Sequence, residues 1–395
     1  MSAEGFVLLE DGTRFAGKLC GVSSGSVGEV VFTTAMGGYQ ESVTDPSFAG
    51  QVLTFTAPHI GNYGVSAQAM ESDKVHVRGV VMRAADNSSD APTADQGWLD
   101  WLEASQIPAI TEVDTRALVR HLRSRGAMRG GIFAAAETDA ASAMIEAEPP
   151  MDGQNLAAQV GPQEMIRHGE GNSGPRVAAI DTGIKMSIVN QLVERGVQLD
   201  LYPCNVSADE LLAAEPDAVF LANGPGDPAA LDGVVETVRG VLGKKPVFGI
   251  CLGHQLCCRA LGLETFKLPF GHRGVNHPVK DLRTGKIEIT SQNHGFAVAA
   301  PDGGLRVETD EPIRWETDFG AAELSHVNLY DRTVEGLTLL DVPGSTVQYH
   351  PEAGPGPHDA RHLFDEFVER ISKAAALCRG ATTSRRSSSL VPGQL

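Results

Sequence analysis

The spacing of apolar residues changes part-way along the chain. From 5 to 35 they come in short runs separated by turn formers at Asp11-Gly12 and Gly25, which predicts strands joined by tight turns. The apolar run 52–55 and the alternating stretch 75–82 extend this β-rich beginning. Between these runs, Gly37-Gly38-Tyr39-Gln40-Glu41, Thr44-Asp45-Pro46-Ser47 and 58–64 are rich in turn formers and read as loops. Trp98, Leu99 and Leu102 predict a helix around 95–104. A second helix, carrying Leu118, Val119 and Leu122, starts after Asp114, whose carboxylate can accept first-turn N–H groups, and ends near Gly126.

Beyond a polar, glycine-rich stretch at 161–175 the pattern becomes regular. Strands at 177–180, 197–202 and 218–221 alternate with helices at 185–195 and around 231–242 before another apolar run, 247–250, passes into a helix. Strands alternating with helices of this length predict a doubly wound, mostly parallel sheet. Candidate strands at 286–290, 334–340 and 345–349 make the next region more β-rich, 301–328 fits neither period, and a last helix is expected near 358–377. The chain therefore reads as α/β. A β-rich N-terminal α/β domain at 1–160 precedes a linker at 161–175, a doubly wound domain at 176–378 and a disordered Ser/Thr/Arg-rich tail at 379–395.

The sharpest local signal is the junction of the run 247–250 with its helix, in which Leu256, Cys257, Ala260 and Leu261 share a face. Cys251 sits at the corner between Gly249 and Gly253, and so tight a reversal needs residues without a Cβ beside it. This is the geometry of a nucleophile elbow, with cysteine in the place of serine. First-turn N–H groups and the helix dipole favour a thiolate there, and the backbone N–H of Leu252 is placed to meet an oxyanion. Cys257 and Cys258, inside the helix, read as small core residues. The loop Asn223-Gly224-Pro225-Gly226-Asp227-Pro228 leaves another strand end, so its backbone donors and Cys251 can share one crevice. It lacks Gly-Lys-Ser/Thr and is not a Walker phosphate cradle.

A thiol nucleophile needs a base, and the chain has twelve histidines. His350 stands out because Pro351 biases it toward extended backbone, where Glu352 projects to the same side. The carboxylate can then orient one imidazole nitrogen while the other faces the thiol. His254 reads as structural or pocket-lining. His358 and His362 have an i, i+4 spacing, but no His-Glu-x-x-His pattern accompanies them, so no metal site is expected. Arg116, Arg120, Arg123 and Arg125 make their helix basic: a solvated face in the simpler reading, a partner-facing one in the alternative.

Composition narrows the partners. A net charge of −18 over 395 residues argues against nucleic acid or an anionic membrane surface. No apolar run approaches the roughly 20 residues that span a bilayer, and the start lacks a signal-peptide pattern. Six cysteines form no disulfide-dense framework, so a cytoplasmic location is expected.

Taken together, Asn223-Gly-Pro-Gly-Asp-Pro228, Gly249-Ile-Cys-Leu-Gly-His-Gln255 and His350-Pro-Glu352 resemble the class I glutamine amidotransferases. Gly38-Tyr-Gln-Glu41, Thr44-Asp-Pro-Ser47, Pro58-His-Ile-Gly-Asn62, Asp114-Thr-Arg-Ala-Leu118, Gly271-His-Arg-Gly-Val-Asn-His-Pro278, Thr290-Ser-Gln-Asn-His-Gly-Phe296 and Pro355-Gly-Pro-His-Asp359 narrow the resemblance to the small subunits of carbamoyl phosphate synthetase, over about 5–378. That resemblance implies a triad of Cys251, His350 and Glu352 that hydrolyses glutamine through a γ-glutamyl thioester. It implies glutamine held by Ser47, Gly224, Gly226, Leu252, Gln255, Asn293, Gly295 and Phe296, with Ser47 reaching in from the first domain. It implies no cofactor in this chain. A larger partner subunit, in a heterodimer, would receive ammonia through a tunnel and use ATP, magnesium and bicarbonate to make carbamoyl phosphate for arginine and pyrimidine biosynthesis. Gly37, where related chains often carry Thr, and Tyr349, where some carry Gly, depart from the pattern without removing a reacting group. Two rival readings are a glutaminase serving another synthetase and a catalytically silent scaffold; the first-domain motifs weigh against the former and the intact triad against the latter.

Overall fold

The computed structural model describes residues 3–22 and 25–373. The first strands are β1 (Glu4–Leu9), β2 (Arg14–Leu19), β3 (Ser26–Thr33), β4 (Gln51–Phe55), β5 (His59–Ile60), β6 (Gly79–Val81), β7 (Ala84–Ala85), β8 (Ala109–Thr111) and β9 (Met128–Ala134). Seven of them close a barrel in the order β1-β2-β8-β6-β4-β3-β9, while β5 and β7 pair apart from it. Alternation along each strand turns one set of side chains inward, and Val7, Val30, Val52, Val81, Ile110 and Ile132 meet in one cluster with Leu118 and Leu122 of a covering helix. That helix, Thr115–Arg125, is the one expected after Asp114: Asp114 accepts the Ala117 N–H at 3.0 Å, and the chain leaves it at Gly126. The stretch 37–47, expected as loop, instead carries a short helix, Tyr39–Thr44, and a 3-10 turn, Pro46–Phe48. Packing holds so short a helix, since the buried Tyr39 ring lies 4.2 Å from that of Tyr63 and 4.8 Å from that of Trp98.

The second half builds an 11-stranded sheet. Its members are β10 (Ile166–His168), β11 (Arg176–Asp181), β12 (Gln198–Pro203), β13 (Ala218–Leu221), β14 (Val247–Ile250), β15 (Thr265–Asp281), β16 (Ile287–Val298), β17 (Ile313–Thr317), β18 (Gly320–Asn328), β19 (Val334–Leu339) and β20 (Gly344–Val347). Strands β12-β11-β13-β14-β20 are parallel neighbours, and antiparallel strands extend the sheet at both ends. This order places the first strand between the second and third, one of the two common doubly wound arrangements, whose crevice opens at the carboxyl ends of the strands. Met186–Glu194 and the helical stretch 362–373 pack on one face through Ile188, Leu192, Phe364 and Phe367. Asp232–Val241 and Leu252–Ala260 pack on the other through Val234, Val238, Leu256 and Cys257.

Three expectations need adjustment. The 161–175 stretch, expected as a linker, contributes β10 to the sheet edge, antiparallel to β12. The unplaced region 301–328 forms the β17–β18 hairpin, and the 17-residue β15 escaped notice because Pro269, Gly271 and Pro278 interrupt its pattern. Irregular register between Lys267 and His272, and again between Gly274 and His277, is how that strand accommodates them. The last four residues of the expected 358–377 helix, and the tail at 379–395, lie outside the described residues.

Candidate active site

The elbow forms as its glycines require. Strand β14 ends at Ile250, helix Leu252–Ala260 begins one residue later, and Cys251 between them has φ 55°, ψ −106°. A residue with a Cβ rarely holds that conformation, and here the turn is fixed on both sides: Cys251 N–H donates to Val347 O at 2.9 Å, and Gln255 N–H donates to Cys251 O at 3.1 Å. Gly253 lets the new helix run against strand β13, because a Cβ there would collide with the Leu221 carbonyl. Strain and close packing together aim the sulfur out of the helix axis. Cys251 Sγ lies 3.5 Å from the Asn293 carbonyl.

His350 arrives from the end of β20, anchored where its N–H donates to Ser291 O at 2.9 Å. Its Nδ1 donates to Glu352 Oε1 at 2.7 Å, the i, i+2 arrangement expected of extended chain. Among the described residues Nε2, fully buried, meets no hydrogen-bond partner. Burial alone would lower the imidazole pKa, but the Glu352 carboxylate and the Cys251 sulfur overcome it and raise it to about 10. Burial would likewise raise Glu352; the Lys185 ammonium and His350 hold it at about 2 instead. Lys185 Nζ, itself buried, reaches Glu352 Oε1 at 3.1 Å, Glu71 Oε1 at 3.5 Å and the Gly354 carbonyl at 2.6 Å. Burial opposes that charge too, yet Glu71, Glu352 and Asp45 raise the lysine pKa.

The sulfur opens into a cavity lined by Ser47, Gly224, Gly226, Gln255, Asn293, Gly295 and Phe296, seven of the eight positions expected around glutamine. The eighth, Leu252, turns its side chain into the core and has only its backbone beside Cys251. Contacts between the barrel and the sheet build the walls. Asn223 Nδ2 donates to Ser47 Oγ at 2.9 Å, and Asn293 Nδ2 donates to Asp45 Oδ2 at 2.8 Å. Glu29, Lys267 and Arg273 add charge: Lys267 Nζ is 2.9 Å and Arg273 Nη2 4.0 Å from the Glu29 carboxylate. Sequence reasoning missed these three, along with Lys185, Glu71 and Asp45. Lys185 had one usable signal, a lone cation four residues past the end of an apolar strand.

The other candidates fall away from the site. His254 is buried, 2.8 Å from Thr346 Oγ1, and burial, with His326, depresses its pKa to about 3. Burial pushes Cys257 up to about 12, and burial together with Cys257 raises Cys258 well above its ordinary value. His362 pairs at the surface with Glu288 at 2.8 Å and Glu366 at 3.0 Å. Arg116, Arg120, Arg123 and Arg125 are all exposed.

Comparison with known proteins agrees with this geometry. Residues 7–132 match the carbamoyl-phosphate synthase small chain, CPSase domain, and residues 178–370 match the glutamine amidotransferase class-I family. The carbamoyl phosphate synthase small chain of Streptomyces coelicolor is 46% identical over 371 residues, covering 92% of this chain and 94% of its own. This chain belongs to the carbamoyl phosphate synthase small chain family. The member from Symbiobacterium thermophilum is 45% identical, covering 94% of this chain and 100% of its own. A pyrimidine-specific small chain from Lactiplantibacillus plantarum is 42% identical, covering 95% and 98%. Among solved structures, a glutamine amidotransferase from Thermotoga maritima overlays with a TM-score of 0.31 and 18% identity, over 45% of this chain and 76% of that one. Membership makes the chain an enzyme subunit with a glutamine amidotransferase domain. No helix among the described residues is long and apolar enough to cross a membrane.

Proposed function

We propose that the chain hydrolyses glutamine at Cys251 and delivers the ammonia to a larger synthetase subunit. The observation that carries this reading is a single cavity, walled from both halves, onto which the elbow sulfur opens beside the buried His350–Glu352 pair. Cys251 Sγ attacks the side-chain amide carbon; the S–C bond forms, the C–N bond breaks, and His350 supplies the proton that lets nitrogen leave as ammonia. Water, deprotonated by the same imidazole, then opens the γ-glutamyl thioester, releasing glutamate and restoring the thiol. Glu352 keeps His350 in one tautomer, and Lys185 keeps Glu352 ionised. The Leu252 N–H and the backbone at Gly224 meet the oxyanion. Ser47, Gly226, Gln255, Asn293, Gly295 and Phe296 hold the substrate, and Glu29 with Arg273 offers opposite charges for its α-ammonium and α-carboxylate.

Ammonia in neutral water is mostly ammonium and no nucleophile, so it needs a sheltered exit. A small cavity beyond His350, lined by Thr33, Ala35, Ser42, Asp45, Lys185 and Gly274, leads toward the barrel and supports such a route. The receiving subunit, in a cytoplasmic complex, supplies the ATP, magnesium and bicarbonate chemistry; this chain contributes no cofactor. The relatives' names favour carbamoyl phosphate as the product, and one of them is called pyrimidine-specific; supply of both pyrimidine and arginine synthesis is part of the proposal. A chloroketone analogue of glutamine tests the reading: it should add once, on Cys251, and glutamine should protect. A protein that stays unlabelled, or is labelled on another cysteine, overturns it.

A further inference from the structure

A buried polar cluster that no step above uses runs back from the pocket wall, where His294 is its one member that lines the cavity. His272 on β15, Gln292 and His294 on β16, Asn328 on β18 and Glu335 on β19 are all buried. Hydrogen accounting settles most of their contacts. The Tyr330 N–H donates to Asn328 Oδ1 at 2.9 Å, so it is the Asn328 Nδ2 that donates to Glu335 Oε1 at 2.8 Å. The Phe296 carbonyl can only accept, so His294 Nδ1 carries the hydrogen that spans 2.7 Å to it. The two ends of the Gln292 amide remain, one 2.9 Å from His294 Nε2 and the other 2.9 Å from Glu335 Oε2 and 3.2 Å from Thr290 Oγ1, a hydroxyl whose one hydrogen goes either to the His277 carbonyl at 2.9 Å or back to the amide. An amide donates from one end and accepts at the other, and a half-turn exchanges them. Whichever way it lies, the accepting end meets a bare lone pair unless that neighbour carries a proton. A neutral imidazole plus a carboxylate leaves the chain one hydrogen short.

We propose that a proton resides on Glu335 Oε2, and that Glu335 is thereby a positioning residue for the glutamine pocket, a role that rests on the reading of that pocket given above. Glu335 O–H donates to the Gln292 amide oxygen, the Gln292 amide N–H donates to His294 Nε2, and His294 Nδ1–H donates to the Phe296 carbonyl. That carbonyl also accepts from Gln255 Nε2 at 2.8 Å, so the chain ends on two residues of the cavity wall. The surroundings select the address. Burial, with His272 adding to it, drives the His294 pKa well down, whereas burial raises Glu335 to about 7 against the opposing pull of His272, Gln292 and Asn328. The other charged or titratable groups nearby are Asp331, which accepts from His272 Nε2 at 2.8 Å, His277, whose ring is 5.1 Å from that of His272, Arg273 and Tyr349. His272 Nδ1, 3.9 Å from Glu335 Oε1, has no partner among the described residues.

The experiment compares Glu335→Gln, which replaces the acid O–H with an amide N–H, and Glu335→Leu, which has no donor. Glu335→Leu should raise KM for glutamine about tenfold with kcat little changed, the loss expected of one broken buried hydrogen bond, and Glu335→Gln should restore it. Wild-type KM should climb as pH rises through about 7, a limb missing in E335Q. An infrared difference spectrum of the full chain, wild type minus E335Q, should show a neutral carboxyl band that fades over the same pH range. Absence of that band, the same alkaline limb in E335Q, or a tightly bound divalent ion on His272, His294 and Glu335 would overturn the proposal. If Glu335→Leu does not fold, the band and the E335Q profile still decide. A band present while Cys251 resists the chloroketone would fault the pocket reading and not the proton.

Discussion

The barrel and the sheet contribute to one cavity in different ways. In the sheet, Cys251 and His350 leave the ends of the adjacent parallel strands β14 and β20, so local backbone geometry aims both of the groups proposed to react. In the barrel half, Ser47 and Asp45 reach the site from a 3-10 turn and its cap, Glu29 from strand β3 and Glu71 from a loop, and they arrive only because the two halves pack. Chemistry is installed by one half; recognition and enclosure need both. Lys185 is the hinge of the comparison, tying Glu352 of the sheet and Glu71 of the barrel side to a single buried ammonium.

The division predicts graded damage. Cys251→Ser should lower glutamine hydrolysis about 10⁴-fold or more, while ammonia-dependent synthesis by the assembled complex survives. If both activities vanish together, the elbow is a structural element and the contrast collapses. Glu352→Gln should cut kcat by about 10²–10⁴ with KM little moved, since it disturbs the imidazole and leaves the pocket alone. Lys185→Met leaves two buried carboxylates facing each other without a cation and should cost about 3–5 kcal/mol in denaturant titrations, beyond any loss of rate. Ser47→Ala, on the barrel side, should raise KM for glutamine about three- to tenfold with kcat nearly intact. A large fall in kcat there would mean that the barrel takes part in chemistry.

The charges of Glu352 and His350 also set a pH signature of stability. Glu352, at about 2 in the fold against about 4.3 when free, favours the folded state above about 4.3 and loses that contribution as pH falls toward about 2. His350, raised to about 10 from about 6.5, contributes below about 6.5 and loses its contribution as pH climbs through about 10. The gap in urea midpoint between wild type and Glu352→Gln should therefore be widest near about pH 5–6 and shrink on both sides. A gap that stays flat across pH would show that the pair's charges do not matter to the fold. The smallest effect is expected at the exposed Arg116 and Arg120: reversing both to Glu should leave glutamine hydrolysis unchanged within about twofold. Weakened, salt-dependent assembly with the larger subunit would make this helix a partner surface; unchanged assembly would make it a solvated face.

Much of the site could be read from the chain because short-range rules were enough. Two glycines around Cys251 forecast the elbow, Pro351 forecast the extended His350–Glu352 pair, and Asp114 forecast its helix. The harder regions share one cause. Strand β15 bulges around Pro269 and Gly271 and so hides its period, and β10 is too short and exposed to carry one. The helix at Tyr39–Thr44 is held by aromatic rings from Tyr63 and Trp98 and not by its own propensity. Glu29 looks like an ordinary surface residue in the sequence, and although Arg273 falls within a quoted motif and Lys185 follows an apolar strand, nothing nearby in the chain announces their partners.

The sequence by itself determined the tight corner at Cys251, the His350–Glu352 pair, the strand–helix alternation behind them and the family resemblance, because each depends on residues a few positions apart. Tertiary structure alone decided how the charges are shared. Lys185 meets Glu352 across 167 positions, Asn293 meets Asp45 across 248, and Glu335 meets Gln292 across 43. Burial gives those meetings their force: groups removed from water must find partners or give up their charge, and only the packed fold determines which outcome each one reaches.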